Sequence, residues 1–185
     1  MSQHVIMICG YARAGKDTFA KGLIAGASNG IDTLAFADHL KEALRCATHD
    51  LGLDVNYGRT EDKLQDRDLL VEFGKAMRRR DKDVFIRPLL TEMRNSCADN
   101  WAWVITDWRY LNEYDHIAMH CCNHGLTLHT VHIERHGWQA ANEEERINLD
   151  EVVGRCPIDV SIQATSGDEE SVLLAGIRTA KLWNL

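Results

Sequence analysis

Gly10-Tyr11-Ala12-Arg13-Ala14-Gly15-Lys16-Asp17-Thr18 is the stretch on which the fold turns. Val5-Ile6-Met7-Ile8-Cys9 precedes it and is apolar throughout, the pattern of a strand buried on both faces. Phe19-Ala20-Lys21-Gly22-Leu23-Ile24 follows it as a helix. Strand, glycine loop and helix form the context of a phosphate-binding loop. The glycines let the backbone curl so that successive N–H groups point inward at a polyphosphate, and the helix N-terminus adds partial positive charge. Lys16 brings an ammonium to the outer phosphates. Gly10, Ala12, Arg13, Ala14, Gly15, Lys16, Asp17 and Thr18 are therefore the expected nucleotide contacts.

Ser or Thr usually follows Gly-Lys and ligates Mg²⁺, but here Asp17 stands in that place, with Thr18 next. A carboxylate suits Mg²⁺, directly or through a water, and Thr18 then holds an inner phosphate. The plainer alternative is that Asp17 only complements the helix dipole.

Outward from the loop, strand and helix alternate. Strands are expected near 33–37, 103–106, 126–133 and 158–162. Helices are expected to about Ala27, from an Asp38 N-cap through Leu51, over 66–80 and 83–97, from Asn112 to Asn123 with a Gly125 stop, and over 169–182. Residues 52–65 are polar and loop-like, and a charged segment over 134–151 interrupts the pattern. Such alternation predicts a mainly parallel five-stranded sheet covered on both faces, with ligands at the carboxyl ends of its strands.

Bulk properties narrow the class. A chain of 185 residues fits a single domain. The net charge of -7 argues against a general nucleic-acid binder but leaves room for a pocket with a few local cations. No run of apolar residues is long enough for a membrane span, and the opening residues lead straight into the first strand, leaving no room for a signal peptide. Six cysteines without a Cys-x-x-Cys pair suit reduced thiols in a cytoplasmic protein.

Other residues are candidates for chemistry. Trp103-Val104-Ile105-Thr106-Asp107 is an apolar strand ending in an acid, the form of a metal-holding strand in phosphoryl-transfer enzymes, although a helix-capping Asp gives the same pattern. Arg109 is two residues on. Trp108 and Tyr110 flank it, either as walls of a base site or as core. Lys41 faces an acceptor anion or solvent. Arg78 lies in the run Arg78-Arg79-Arg80, where a planar fork suits a phosphomonoester and a solvated helix end is the alternative. Arg135 and Arg146 bracket the charged segment, which reads as a flap over the transferring phosphate or as an exposed loop. His116, His120 and His124 share one helix face, with no obvious fourth ligand for a metal.

Taken in order, Gly-x4-Gly-Lys-Asp-Thr, Phe-Ala-Asp-x-Leu-Lys-Glu, Gly74…Arg78…Asp81…Phe85, Val-Ile-Thr-Asp-x-Arg-x-x-Asn-Glu and Ile-Glu-Arg resemble the bacteriophage-type deoxynucleoside monophosphate kinases. The match runs from Val5 to about Arg135. Animal-type phosphomevalonate kinases share the skeleton. The resemblance implies a P-loop NTPase fold of three α/β/α layers, with a helical acceptor-binding lobe over about 38–98 and a short lid over about 134–151. It implies ATP and Mg²⁺ as cofactors and a nucleoside monophosphate as partner, in a cytoplasm (the host's, if the chain is viral). It leaves monomer and homodimer both open. By residue, it implies Asp17 and Asp107 at the metal. Asp38, Lys41, Arg78, Asp107, Trp108 and Arg109 belong to the acceptor side, and Lys16, Arg109 and Arg135 act at the transfer point. The chain departs from the family pattern at Asn142-Glu143-Glu144-Glu145-Arg146, in place of His-x-Ser-Glu, and at Ala164, in place of Asn.

Overall fold

A computed structural model describes residues 3–53, 67–95, 102–165 and 167–185. The expected loop over 52–65 and the expected helix ends at Asp66 and Cys97 lie wholly or largely outside these residues. Five strands are described: β1 (His4–Cys9), β2 (Ile31–Leu34), β3 (Ala102–Ile105), β4 (Thr127–Arg135) and β5 (Val160–Ala164). Seven helices are described with them: α1 (Lys16–Gly26), α2 (Phe36–His49), α3 (Arg67–Arg80), α4 (Ile86–Asn95), α5 (Leu111–His124), α6 (Glu143–Arg155) and α7 (Glu169–Leu182).

The sheet is wholly parallel in the order β2-β3-β1-β4-β5, so β1 and its loop sit at the centre. Alternation along β1 builds both layers. Val5, Met7 and Cys9 pack with residues of α2, α4, α5 and α6, whereas Ile6 and Ile8 pack with α1 and α7. A strand buried on both sides reads as an unbroken apolar run, which is why it was visible in the sequence.

On the second face, α1 and α7 touch backbone to backbone. A Cβ at Gly22 would run into the Leu173 carbonyl oxygen, and one at Gly176 into the Phe19 carbonyl oxygen and, at 2.8 Å, the Gly22 Cα. This close approach seats the helix after the phosphate loop against the helix after β5. Gly22→Ala is expected to cost about 3 kcal/mol in chemical denaturation. Unchanged stability would show that the helices part freely.

Several boundaries differ from expectation: β2 begins at Ile31 rather than 33 and α4 at Ile86 rather than 83, and three further differences have an evident cause. Asp38 is not an N-cap: α2 begins two residues earlier, at Phe36, with Ala35 in the cap position and no side-chain cap of its own. The anchor comes from β3, as described below, and it draws Phe36 and Ala37 out of the expected strand. β5 starts at Val160 rather than Ile158, because Pro157 and Asp159 are engaged with Thr130. The Thr130 hydroxyl donates to the Pro157 carbonyl (2.7 Å), and Asp159 accepts from the Thr130 N–H (2.8 Å). Finally, the charged segment is not a continuous loop. β4 runs on to Arg135, and Glu143 opens α6, capped by Asn142 Oδ1 accepting the Glu145 N–H at 2.8 Å.

Candidate functional site

The loop between β1 and α1 has the backbone its glycines imply. Gly10 (φ 143°) and Gly15 (φ 106°) lie at positive φ, as does Arg13 (φ 64°). A Cβ at Gly10 would also run into the Ile133 carbonyl oxygen, so β4 and the loop require glycine there. Lys16 Nζ donates to the carbonyls of Gly10 (2.7 Å) and Tyr11 (2.8 Å), folding its ammonium back over the loop. Burial pulls its pKa below the ordinary lysine value and Arg109 adds to this, while Asp17, Glu145 and Asp107 oppose it. These are the charged groups gathered about the ammonium.

A cavity of about 350 Å³ opens beside the loop. Arg13 to Thr18 line one side, Arg135 borders it, and Ala164, Thr165, Asp168 and Val172 form the side nearer β5 and α7. Of the eight residues expected at the nucleotide, Arg13, Ala14, Gly15, Lys16, Asp17 and Thr18 line the cavity, and Gly10 shapes the turn. Ala12 is placed differently. Its N–H goes to Glu145 Oε1 (3.1 Å) and its carbonyl accepts from Trp138 Nε1 (2.9 Å). Arg135 Nη1 donates to the Arg13 carbonyl at 3.0 Å, and its guanidinium lies 5.0 Å from the centre of the Trp138 ring.

The end of β3 organises the opposite side. Asp107 takes the capping alternative, but for a distant helix: its two oxygens accept the N–H groups of Phe36 (2.9 Å) and Ala37 (2.8 Å) at the start of α2. Burial raises its pKa, against the pull of those two donors and of Arg109. Asp38 and Lys41, on the first turns of α2, form an ion pair at 2.7 Å, with the lysine half-exposed. Arg109 is exposed and, together with Asp107, falls within the electrostatic surroundings of Lys16. Arg78 is held between two rings, 4.9 Å from the centre of Phe85 and 4.7 Å from that of Tyr110.

Trp108 does not wall a base site. It is 1 % exposed, its Nε1 donates to the Tyr110 carbonyl (3.1 Å), and its ring stacks on Tyr114 at 5.7 Å. The indole is too large an apolar group to leave the core it fills. Arg146 is committed to Glu143 (2.6 Å) and Asp150 (2.8 Å) along α6 and stays on the exposed face. His116 pairs with Asp83 at 3.3 Å, while the His120 and His124 rings lie 4.1 Å apart. Among the described residues no group of three or more His, Cys, Asp or Glu could hold a metal ion.

That observation bears on Mg²⁺, which in phosphoryl transfer takes one or two protein ligands and completes its shell with waters and phosphates. Asp17 and Thr18 face the cavity at the start of α1 and fit such a role. Asp107 has both oxygens bonded to main-chain donors, so it fits only as a partner to metal-bound water.

Two acids to which the sequence motifs assign no role stand at the site. Glu113 Oε2 accepts the N–H groups of Arg109 (2.8 Å) and Tyr110 (3.1 Å), fixing the turn that aims Arg109 and lays Tyr110 on Arg78. Its only local signal was its place three residues into a helix. Burial pushes its carboxyl up to about 8, and the charge of Asp107 adds to the rise, while the two N–H donors oppose it. The unfolded value is near 4.5, so the folded chain holds this proton more tightly. That contribution to stability is complete below pH 4.5 and is lost as pH rises through 8. His4, His129 and His132, pulled below the histidine range by burial, act in the other sense and lose stability towards acid. Subtracting the thermal stability of Glu113→Gln from that of the wild type is therefore expected to leave a difference that shrinks from acid to pH 8. A pH-independent difference would contradict this. The second such acid is Glu145, the partner of Ala12.

Comparison with known proteins supports the architecture. The chain resembles the APS kinase of Mycobacterium tuberculosis solved with AMPPNP and APS, at 10 % identity over 100 % of this chain and 99 % of that one, with a TM-score of 0.53. A sugar kinase from Janibacter aligns at 14 % identity over 99 % and 94 % of the two chains, with a TM-score of 0.49. No protein-family model matches the chain, and no curated protein does. The parallel sheet, its central loop and the likeness to the APS kinase give this chain the fold of the phosphate-loop kinases. No helix among the described residues is long and apolar enough to cross a membrane.

Proposed function

We propose that this protein is a kinase that moves the γ-phosphoryl group of ATP onto a (deoxy)nucleoside monophosphate, giving the diphosphate. The observation that carries the reading is the position of Lys16 beside two differently equipped groups of residues. The first lines the cavity, from Arg13 to Thr18, sized for part of a nucleotide. In the second, Arg109 and Asp107 belong to the electrostatic surroundings of the same ammonium, Asp107 holds the start of the helix that carries Asp38 and Lys41, and Arg78 packs on Tyr110, the neighbour of Arg109. A polyphosphate at the first group and an anionic acceptor at the second would meet at the ammonium.

The chemistry then needs little from the protein beyond placement and charge. An acceptor phosphate is already an ionised nucleophile, so no general base is required. Loop N–H groups and Lys16 hold the donor phosphates, and Arg109 and Arg135 offset charge on the oxygens in transit. Mg²⁺, which Asp17 would hold with Thr18 on an inner phosphate beside it, would supply further neutralisation when bound. Arg78, fixed by Phe85 and Tyr110, offers its fork to the acceptor phosphate without having to be ordered first. The segment from Arg135 to α6 serves as the lid over the loop.

One observation favours a second acceptor class. With Trp108 in the core and the Tyr110 ring engaged with Arg78, neither aromatic residue flanking Arg109 is set aside for a base. A phosphorylated acceptor without a base, of the phosphomevalonate kind, needs only the cations. A coupled ADP-release assay across the deoxynucleoside monophosphates and phosphomevalonate separates the two. Turnover with at least one nucleotide supports the proposal. Turnover with phosphomevalonate alone moves the protein to the second class, and ATP binding without transfer to any acceptor makes it a nucleotide-binding module.

A further inference from the structure

Glu145 makes one bond more than a helix cap needs. Its Oε2 accepts the Ala141 N–H at 2.7 Å, and its own N–H goes to Asn142, which together cap α6. Its Oε1 reaches across 133 residues of chain to the Ala12 N–H at 3.1 Å. The neighbouring Glu144 joins the same helix turn to the acceptor side, accepting from Tyr110 Oη (3.3 Å) and pairing with Lys75 (3.5 Å).

The order of the loop shows what this bond blocks. Arg13 to Thr18 line the cavity, while Ala12 lies one residue beyond that lining, towards the lid and the acceptor side. Phosphates entering from the cavity meet the amides next to α1 first. Only the last unit of a longer tail extends to Ala12. An anion already stands there, and a phosphate oxygen competes with it for the same N–H while repelling its charge.

We propose that Glu145 grades nucleotides by phosphate number: it holds the Ala12 amide in the free protein and yields it only to the terminal group of a triphosphate. The inference rests on the reading that this loop binds a nucleotide polyphosphate. A diphosphate leaves the bond from Glu145 to Ala12 in place. A triphosphate breaks it and frees α6 from this attachment to the loop. After the terminal phosphoryl group leaves, Glu145 returns to Ala12.

The test is calorimetric titration of wild type, Glu145→Gln and Glu145→Ala with Mg²⁺ and either ADP or AMPPNP. In Glu145→Ala the AMPPNP affinity is expected to rise about tenfold, the scale of one hydrogen bond to a charged group, with less than a twofold change for ADP. Glu145→Gln, which keeps an oxygen and loses the charge, falls between. Trp138→Phe removes the lid's bond to the Ala12 carbonyl but leaves Glu145 in place, and its ADP-to-AMPPNP ratio stays that of the wild type. Equal shifts for both nucleotides, weaker AMPPNP binding in Glu145→Ala, or a ratio altered as strongly by Trp138→Phe would overturn the role of Glu145. Failure of the wild type to bind either nucleotide would instead remove the reading beneath it.

Discussion

Replacing Lys16 with alanine is expected to lower turnover about 10³-fold, the scale of losing a preorganised donor to transition-state charge. The fold should survive. Lys16 is the first residue of α1 and bonds two loop carbonyls, those of Gly10 and Tyr11, both on residues only partly buried. The stability cost is about 1 kcal/mol for hydrogen bonds lost in such a setting. Lys16→Arg should not restore activity, since a planar fork does not replace a compact ammonium in so tight a turn. Steady-state kinetics together with a thermal melt check both halves. A kcat within tenfold of the wild type would mean that the ammonium does not act on the phosphates in flight.

Asp107→Ala has the largest expected effect on the structure. Both carboxylate oxygens accept the first N–H groups of α2, and no side chain of the local sequence caps that helix. Removing the carboxylate leaves two donors without partners, at a cost of about 3 kcal/mol. It also frees the helix that carries Asp38 and Lys41, so KM for the acceptor should rise about tenfold, while nucleotide affinity, set at the loop, moves little. Asp107→Asn keeps one oxygen and separates the two roles. If Asp107 mainly anchors α2, the asparagine variant recovers much of the stability and the acceptor KM. If it mainly serves metal-bound water, that variant is as stable as the wild type yet needs far more Mg²⁺ for turnover.

Legibility in the sequence followed the range of the interactions. β1, the loop and α1 form a contiguous unit in which each local preference agrees with the fold, so the glycines, Lys16 and the apolar run sufficed. The α7 boundaries were visible for the same reason, with Asp168 accepting the Ser171 N–H as a local cap. Asp38 reads as a cap in the sequence because the true anchor of α2, Asp107, arrives from β3, some seventy residues later. Asn142 and Glu145 carry the capping signature of α6, but the helix exposes charge on most of its faces and buries only Leu149 and Val152, so the segment reads as an interruption. Trp108 sits beside the exposed Arg109, yet its side chain faces the core, and neighbouring residues on an extended backbone point to opposite sides. Glu113 bonds N–H groups three and four residues back, a local cap, whereas the bond from Glu145 to Ala12 spans 133 residues, so no spacing in the sequence announces it.

The central claim is that main-chain amides of residues 10–18 and the Lys16 ammonium hold the phosphates of ATP. The most direct measurement is a crystal structure with AMPPNP and Mg²⁺. Lys16 Nζ should leave the carbonyls of Gly10 and Tyr11 for the outer phosphates, with the tail lying along Arg13 to Thr18. An empty turn, with Lys16 still bonded to those two carbonyls at saturating nucleotide, would contradict it.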